Sequence, residues 1–344
     1  MSGSTEQRLG DLGEQWIQRE VLRPRYGGTE GFGDDSAFLA KVDTPSELVA
    51  TTDSCPTPVV NILRDPDLFH AGWLLATINL SDLAAAGAEP LGLVVSYTLP
   101  KTTTVREFER LLDGVDESCA AHGTKVAGGD LRDGAVQLTA TAIGRCVPGS
   151  RLRRSGAEAG DRLLLVGSPG YLWAAALLET GRAKLPAPAR EEIWERACRP
   201  MAQLAAGRLL AGYARAAMDV SDGLYATVRT LCEANEVGAA ISGEFELDGP
   251  LADVARQCGL RPFDLAQTWG DWGLVVAVRA EDVEVVTKTL LGDGIAAQEI
   301  GTLTADQQLT AGTAPWEGIA QERFSAGSWH GGDLSTLVTE VLGI

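Results

Sequence analysis

Histidine is nearly absent from this chain. The three residues His70, His122 and His330, in 344 positions, are too dispersed for a metal centre or a Ser-His-Asp arrangement. The six cysteines (Cys55, Cys119, Cys146, Cys198, Cys232 and Cys258) contain no CxxC pair, which argues against zinc and against a disulfide framework and fits reduced thiols in a cytoplasm. Positive charge is also short: 29 Lys and Arg stand against 47 Asp and Glu, a formal charge of −18, so a nucleic-acid backbone or an anionic membrane would be repelled. No apolar run reaches spanning length, and the polar residues 1–8 lack the apolar centre of a secretory signal, so the chain is expected to stay in the cytosol. Both standard nucleotide fingerprints are missing: there is no GxxxxGK[ST] loop and no GxGxxG between a strand and a helix.

What is present is an ordinary globular composition, 45% hydrophobic and 22% charged, on a chain long enough for about two domains. The apolar spacing of Leu9, Leu12, Trp16 and Ile17 predicts a helix over 6–22, which the Gly-rich stretch 27–33 ends. Apolar or β-branched runs predict strands over 47–51, 92–99 and 136–145, with helices over 66–86 and 104–122 between them. A polar, basic stretch over 147–160 (Arg151, Arg153, Arg154) precedes a fresh strand at 162–166 and a helix after Gly170. Beyond it come predicted helices over 189–211, 224–234 and 280–291 and strands over 239–241 and 273–278. The expected fold class is therefore α/β (α+β) in two domains, 1–150 and 151–344, with no repeat and no low-complexity tract.

Aspartates stand at the ends of the predicted elements: Gly33-Asp34-Asp35, Thr51-Thr52-Asp53, Ser81-Asp82, Gly128-Gly129-Asp130 and Asp219-Val220-Ser221-Asp222-Gly223. For any one group the default role is a helix cap or a turn, and Asp222 before the 224 helix fits an N-cap. Asp82 resists that role, because it interrupts the apolar stretch 74–86, where a lone buried carboxylate is costly. Asn79 lies three residues earlier and so on the same helix face, which suits a shared oxygen-ligand site. A hard cation compensates such burial, and magnesium takes carboxylate and phosphate oxygens together. With Gly33, Gly128 and Gly129 admitting backbone amides to phosphates, the pattern points to ATP-dependent phosphoryl transfer or hydrolysis, with cations between the polyanion and the acidic protein.

These five groups, in this order and with this spacing, resemble the thiamine-monophosphate kinase family, within the aminoimidazole-ribonucleotide-synthetase-like ATPases. The flanking stretches 76–90 (ATINLSDLAAAGAEP) and 154–161 (RSGAEAGD) are similar too, and the resemblance covers about residues 30–280. It implies an N-terminal domain that binds ATP and magnesium and pairs with its twin into a barrel at a homodimer interface, followed by a C-terminal α/β domain. It further implies magnesium ligands at Asp35, Thr52, Asp53, Asp82, Asp130, Asp219 and Asp222, with Asp82, Asp130 and Asp222 at the catalytic centre. Thr51, Thr52, Asn79, Gly129, Arg154 and Ser221 are the residues expected at ATP, Arg154 as a phosphate partner.

Two departures from the family stand out. Where the family carries a Gly-Val-His-Phe-like stretch after Thr-Thr-Asp, with its histidine at the thiamine phosphate, this chain reads Ser54-Cys55-Pro56-Thr57-Pro58. Where the family has Gly-Gly-Glu-Asp-Tyr-Glu, with its first glutamate at the substrate, this chain reads Thr268-Trp269-Gly270-Asp271-Trp272-Gly273. Trp269 and Trp272 either pack a core or stack on an acceptor, and Trp329, beside His330, is a candidate to cap that acceptor. Cys55 reads as a small buried hydrophobe. The leading function is a kinase for a small-molecule acceptor. The alternatives are an ATP-dependent ligase or cyclase, which would release free phosphate, and a catalytically silent nucleotide-binding subunit.

Overall fold

The computed structural model describes residues 6–12, 14–26, 45–247, 249–318 and 334–344, which divide into two compact units, Met1–Leu83 with Ala88–Pro148 and Ala84–Gly87 with Gly149–Ile344. In the first unit the strands are β1 (Glu47–Ser54), β2 (Glu89–Leu99), β3 (Val126–Asp133) and β4 (Gln137–Cys146), and the long helices are α1 (Leu68–Ala85) and α2 (Val105–Ala121). The sheet order is β1-β4-β2-β3, antiparallel except for the parallel β2/β3 pair.

Helix α1 is apolar all round, and Leu75, Ala76, Thr77, Ile78, Asn79, Leu80, Ser81 and Leu83 are all at most 3% exposed, as expected of a central helix. Its N-terminus is held by Asp67, whose carboxylate accepts from the Phe69 amide and pairs with Arg110 of α2. Helix α2 is amphipathic instead. Val105, Phe108, Leu111, Leu112 and Val115 are buried, and a capping box joins Thr104 to Glu107.

The two helices cross at a pair of glycines. A β-carbon on Gly72 would lie 2.1 Å from Leu111 O, and one on Gly114 would lie 2.0 Å from Phe69 O. Backbone meets backbone there, and no side chain fits.

The helical start of the chain, expected over 6–22, is a short helix at Leu9–Leu12 followed by Glu14–Ile17, a π-helical stretch Gln18–Leu22 and Arg23–Tyr26 without a break. It is fastened to α2, where Arg25 and Tyr26 bond Asp116.

The second unit contains β5 (Arg162–Val166), α3 (Tyr171–Glu179), α4 (Ala187–Cys198), β6 (Ala214–Asp219), α5 (Leu224–Asn235), β7 (Gly238–Ile241), α6 (Gly249–Gln257), β8 (Leu274–Val278), α7 (Val283–Gly292), β9 (Ala297–Thr304), β10 (Leu309–Ala311), β11 (Ala314–Pro315) and α8 (Leu334–Leu342). Its strands form one sheet in the order β11-β10-β7-β9-β5-β8-β6. The central β5 and β8 are almost wholly buried, so they read as continuous apolar runs, whereas β6 and β9 did not stand out in the sequence. The helix expected over 189–211 is divided into α4 and a short helix at Leu204–Leu210. Pro200 lies in the gap, where it denies the backbone a donor and a helical predecessor. Among the described residues no helix is long and apolar enough to cross a membrane.

Candidate active site

Along β1 alternate side chains face opposite sides of the sheet. Thr51 and Asp53 face α1, which presents Asn79 and Asp82 one turn apart. The Thr51 hydroxyl donates to Asp82 Oδ2 at 2.5 Å. The Asp53 amide donates to Asn79 Oδ1 at 3.0 Å, while Asn79 Nδ2 donates to Leu75 O at 2.9 Å and reaches Asp53 O at 3.5 Å. Asn79 is 0% exposed and its amide is fully engaged. It holds the Asp53 backbone in place. Asp82 is the one partly exposed residue between Leu80 and Ala84, and among the described residues no lysine or arginine pairs with it.

The same alternation separates Thr52 from this cluster. Its side chain lies on the opposite, exposed face, where its hydroxyl donates to Ala140 O at 2.9 Å and accepts from Thr141 at 3.2 Å. The Thr52 side chain thus stands on the face of β1 that also carries Ser54, whose register row leads to Asp130, and not on the face of Asp53 and Asp82. Gly128, Gly129 and Asp130 form strand β3 and not a loop. Gly129 is needed there because a β-carbon would lie 2.0 Å from Val95 O, and a strand that demands glycine is hard to read from propensity. Asp130 is exposed beside Arg132 at 3.1 Å, at the end of a register row Ser54–Thr139–Ser96–Asp130 that crosses all four strands. Asp35 and Trp329 lie outside the described residues.

In the second unit Asp219 ends β6 and is 4% exposed, and Ser221 and Asp222 are partly exposed. The N-cap of α5 is Gly223, at φ +92°, so the N-cap position expected for Asp222 is taken. The Asp219–Asp222 loop is held from both sides. The Val220 amide donates to Gly273 O at 2.8 Å and the Leu224 amide donates to Gln267 O at 3.0 Å. Arg154 is exposed on a loop fastened by Asn235, which accepts from the Gly156 and Ala157 amides at 2.7 and 2.9 Å and donates to Arg154 O at 2.8 Å. Asn235 escaped the sequence reading, since a lone asparagine at a helix end reads as an ordinary terminator.

Residues 268–273 form a tightly packed turn. Trp269 meets Trp173 edge to face at 5.1 Å, and its carbonyl accepts the Trp173 indole N–H at 2.9 Å, which fits a packing role. Gly270 sits at φ +106°, with the place of a β-carbon 2.2 Å from Leu172 Cδ2, so no carboxylate side chain is accommodated at this position. Trp272 adopts φ +55°, unusual for a bulky residue, and its indole N–H is buried with no partner among the described residues.

Asp271 accepts from the amides of Gly170, Tyr171 and Leu172 at 2.7, 3.1 and 3.3 Å, at the start of α3. Burial pushes its carboxyl up from 3.8 to about 6, against the pull of those three amides and of Arg196. The folded protein then holds this proton more tightly than the unfolded chain, so the group's stabilising contribution is complete below about pH 4 and is lost as pH rises through about 6. Asp271→Asn has no such titration. Its stability relative to the native protein should therefore rise by on the order of 2 to 3 kcal/mol between about pH 4 and pH 7. Urea denaturation of both proteins across that range measures it, and a pH-independent difference would count against the assignment. Cys55 is likewise shifted by burial, up to about 12, with its thiol donating to Pro56 O and Ala71 O, as an inert small side chain would be.

Two domain descriptions match the chain: AIR synthase related protein, N-terminal domain, over residues 33–146, and AIR synthase related protein, C-terminal domain, over residues 158–313. The thiamine-monophosphate kinase of Halobacterium salinarum is 30% identical over 291 residues, 84% of this chain and 93% of that protein. The crystal structure of thiamine-monophosphate kinase from Stenotrophomonas maltophilia K279a matches with a TM-score of 0.70 and 27% identity, over 82% of this chain and 90% of that one. AaThiL complexed with AMPPCP and TMP shares the fold, with a TM-score of 0.70 at 24% identity over 93% of this chain and 100% of that one. With both domains matched in order and the kinase relatives aligned over most of their length, this chain belongs to the AIR synthase related proteins and, within them, to the thiamine-monophosphate kinase family.

Proposed function

We propose that this protein is an ATP- and magnesium-dependent kinase that passes the γ-phosphoryl group of ATP to a small-molecule acceptor. The observation that carries the reading is Asp82, the one carboxylate of the largely buried helix α1, turned toward β1 beside Thr51 and the Asn79-anchored Asp53. Membership of a kinase family supports it, as does the AMPPCP and TMP named with the similar fold.

The donor set suits magnesium. The side chains are carboxylates and hydroxyls, and among the described residues no three His, Cys, Asp or Glu form a cage of their own. Magnesium takes one or two carboxylates and completes its shell with water and phosphate, so hard oxygen donors without such a cage are compatible with it. In this reading Asp35, Thr52, Asp53, Asp82, Asp130, Asp219 and Asp222 hold magnesium, which when bound neutralises charge on the β and γ phosphates. Thr51 orients the Asp82 carboxylate, Asn79 fixes Asp53, and Asn235 fixes the loop that offers Arg154 to phosphate. Ser221 and the backbone of Gly129 are the further ATP contacts of this reading. Positioning and charge neutralisation supply the catalysis, with no covalent intermediate.

On the acceptor side Gly270 and Ser54-Cys55-Pro56 replace the family's acidic and histidine positions, so the acceptor is thiamine monophosphate or a related phosphate ester, carboxylate or amide held by different groups. Incubation with ATP, magnesium and thiamine monophosphate, followed by mass spectrometry of the products, tests this. Thiamine diphosphate supports the family reaction, and free phosphate without a phosphorylated acceptor overturns the kinase reading.

We also propose a homodimer formed through the first unit's sheet. Its face away from the helices exposes Leu48 (69%), Ala50, Thr52 and Ser54 in a row on β1, beside Ile143 of β4 and Val94 of β2. An apolar sheet face of this kind is a natural partner surface. Sedimentation at micromolar concentration should give a dimer, and Leu48→Asp should shift it to monomer. A monomer mass for the native protein would rule the interface out.

A further inference from the structure

Segment 267–273 touches the Asp219–Asp222 loop at both of its ends. Gln267 O accepts from Leu224 N at 3.0 Å, Gly273 O accepts from Val220 N at 2.8 Å, and a β-carbon on Gly223 would sit 3.2 Å from Gln267 O. Two further contacts tie down the segment's ends. The Trp316 indole N–H donates to Gln267 Oε1 at 3.3 Å, and Gly273 lies so close to Val166 O that a β-carbon would come within 2.7 Å of it. Its middle is held at two points on α3: the Trp269 carbonyl accepts the Trp173 indole N–H at 2.9 Å, and the two oxygens of Asp271 take three successive amides at the start of the helix. Beside that anchor Trp272 stands in a left-handed conformation, which persists only where the surroundings enforce it.

We propose that Asp271 is a positioning residue for phosphoryl transfer: by pinning the middle of segment 267–273 to α3 it sets the placement of the loop that carries Asp219, Ser221 and Asp222. It touches no ligand itself. Its effect passes through Gln267 O and Gly273 O to the amides of Leu224 and Val220. The proposal rests on the reading that Asp219 and Asp222 hold magnesium. Rigid support of this kind matters because small misplacement of a reacting or charge-neutralising group lowers rate steeply.

The test compares Asp271→Ala and Asp271→Asn with the native enzyme and with Asp222→Asn. The readouts are hydrogen exchange at single amides, kcat and KM, and the magnesium concentration that gives half-maximal rate. In Asp271→Ala, exchange at Val220 and Leu224 should rise by about tenfold or more. Its kcat should fall by at least about tenfold, with a several-fold higher magnesium requirement. Asp271→Asn keeps an oxygen for Tyr171 and Leu172 and should fall between the two. It also serves should the alanine variant not fold. Faster exchange confined to Gly170, Tyr171 and Leu172, with the magnesium requirement unchanged, overturns the proposal and leaves Asp271 a cap of α3 alone. If Asp222→Asn itself leaves the magnesium requirement unchanged, the metal reading of that loop fails, and the exchange at Val220 and Leu224 alone decides the mechanical link.

Discussion

Asp82→Asn should lose about three orders of magnitude in kcat for transfer from ATP while the protein keeps its fold. The substitution is nearly isosteric, and the asparagine oxygen can still accept from the Thr51 hydroxyl that now lies 2.5 Å from Asp82 Oδ2. Because Asp82 is partly exposed, no buried partner is left without compensation, and the cost in stability should stay below about 1 kcal/mol. What disappears is negative charge next to the Asp53 backbone, and with it the affinity of a hard-oxygen site for magnesium. Mass spectrometry of the products, together with a thermal melt of both proteins, separates the two effects. A variant that turns over within about threefold of the native rate would remove Asp82 from the catalytic set.

Gly114→Ala should destabilise the first unit strongly, costing about 3 kcal/mol or more. The new β-carbon would stand 2.0 Å from Phe69 O and 2.8 Å from Trp73 N, and both are backbone atoms that cannot swing aside. Only a displacement of α1 from α2 relieves the clash. Because α1 carries Asn79 and Asp82, that displacement should also loosen the Asp53 anchor and lower activity before the protein unfolds. Gly72→Ala is the mirror test, since its β-carbon would meet Leu111 O at 2.1 Å. Urea denaturation measures the loss, and a change under about 1 kcal/mol in both variants would count against backbone contact between α1 and α2 at these glycines.

The N-terminal half shows how unequally the two levels were readable. Helices α1 and α2 and strands β1, β2 and β4 were visible because each has a long apolar or alternating pattern, and their ends fall within a few residues of expectation. Strand β3 was hidden by Gly128 and Gly129, whose purpose, close approach to Val95, exists only when β2 is alongside. In the second half β6 and β9 were missed: their small, mixed residues acquire a strand's character only from neighbours in the seven-stranded sheet.

The site divides in the same way. The sequence by itself determined the chemical repertoire: repeated aspartates beside Gly, Ser and Thr, few and dispersed histidines, no CxxC pair, no loop of either common nucleotide type, and membership of a family. Residue type decides which ligands are possible, and type is local. Only the tertiary structure decided which groups can act together. It put Thr51 and Asp53 on one face of β1 and Thr52 on the other, and it joined Asn79 to the Asp53 backbone. It also recruited Asn235, Gln267 and Asp271 to hold loops far from them in sequence. Those roles depend on hydrogen bonds between segments up to about a hundred residues apart, as from Asp271 to Gly170, and such distances are set by packing, which no local pattern records.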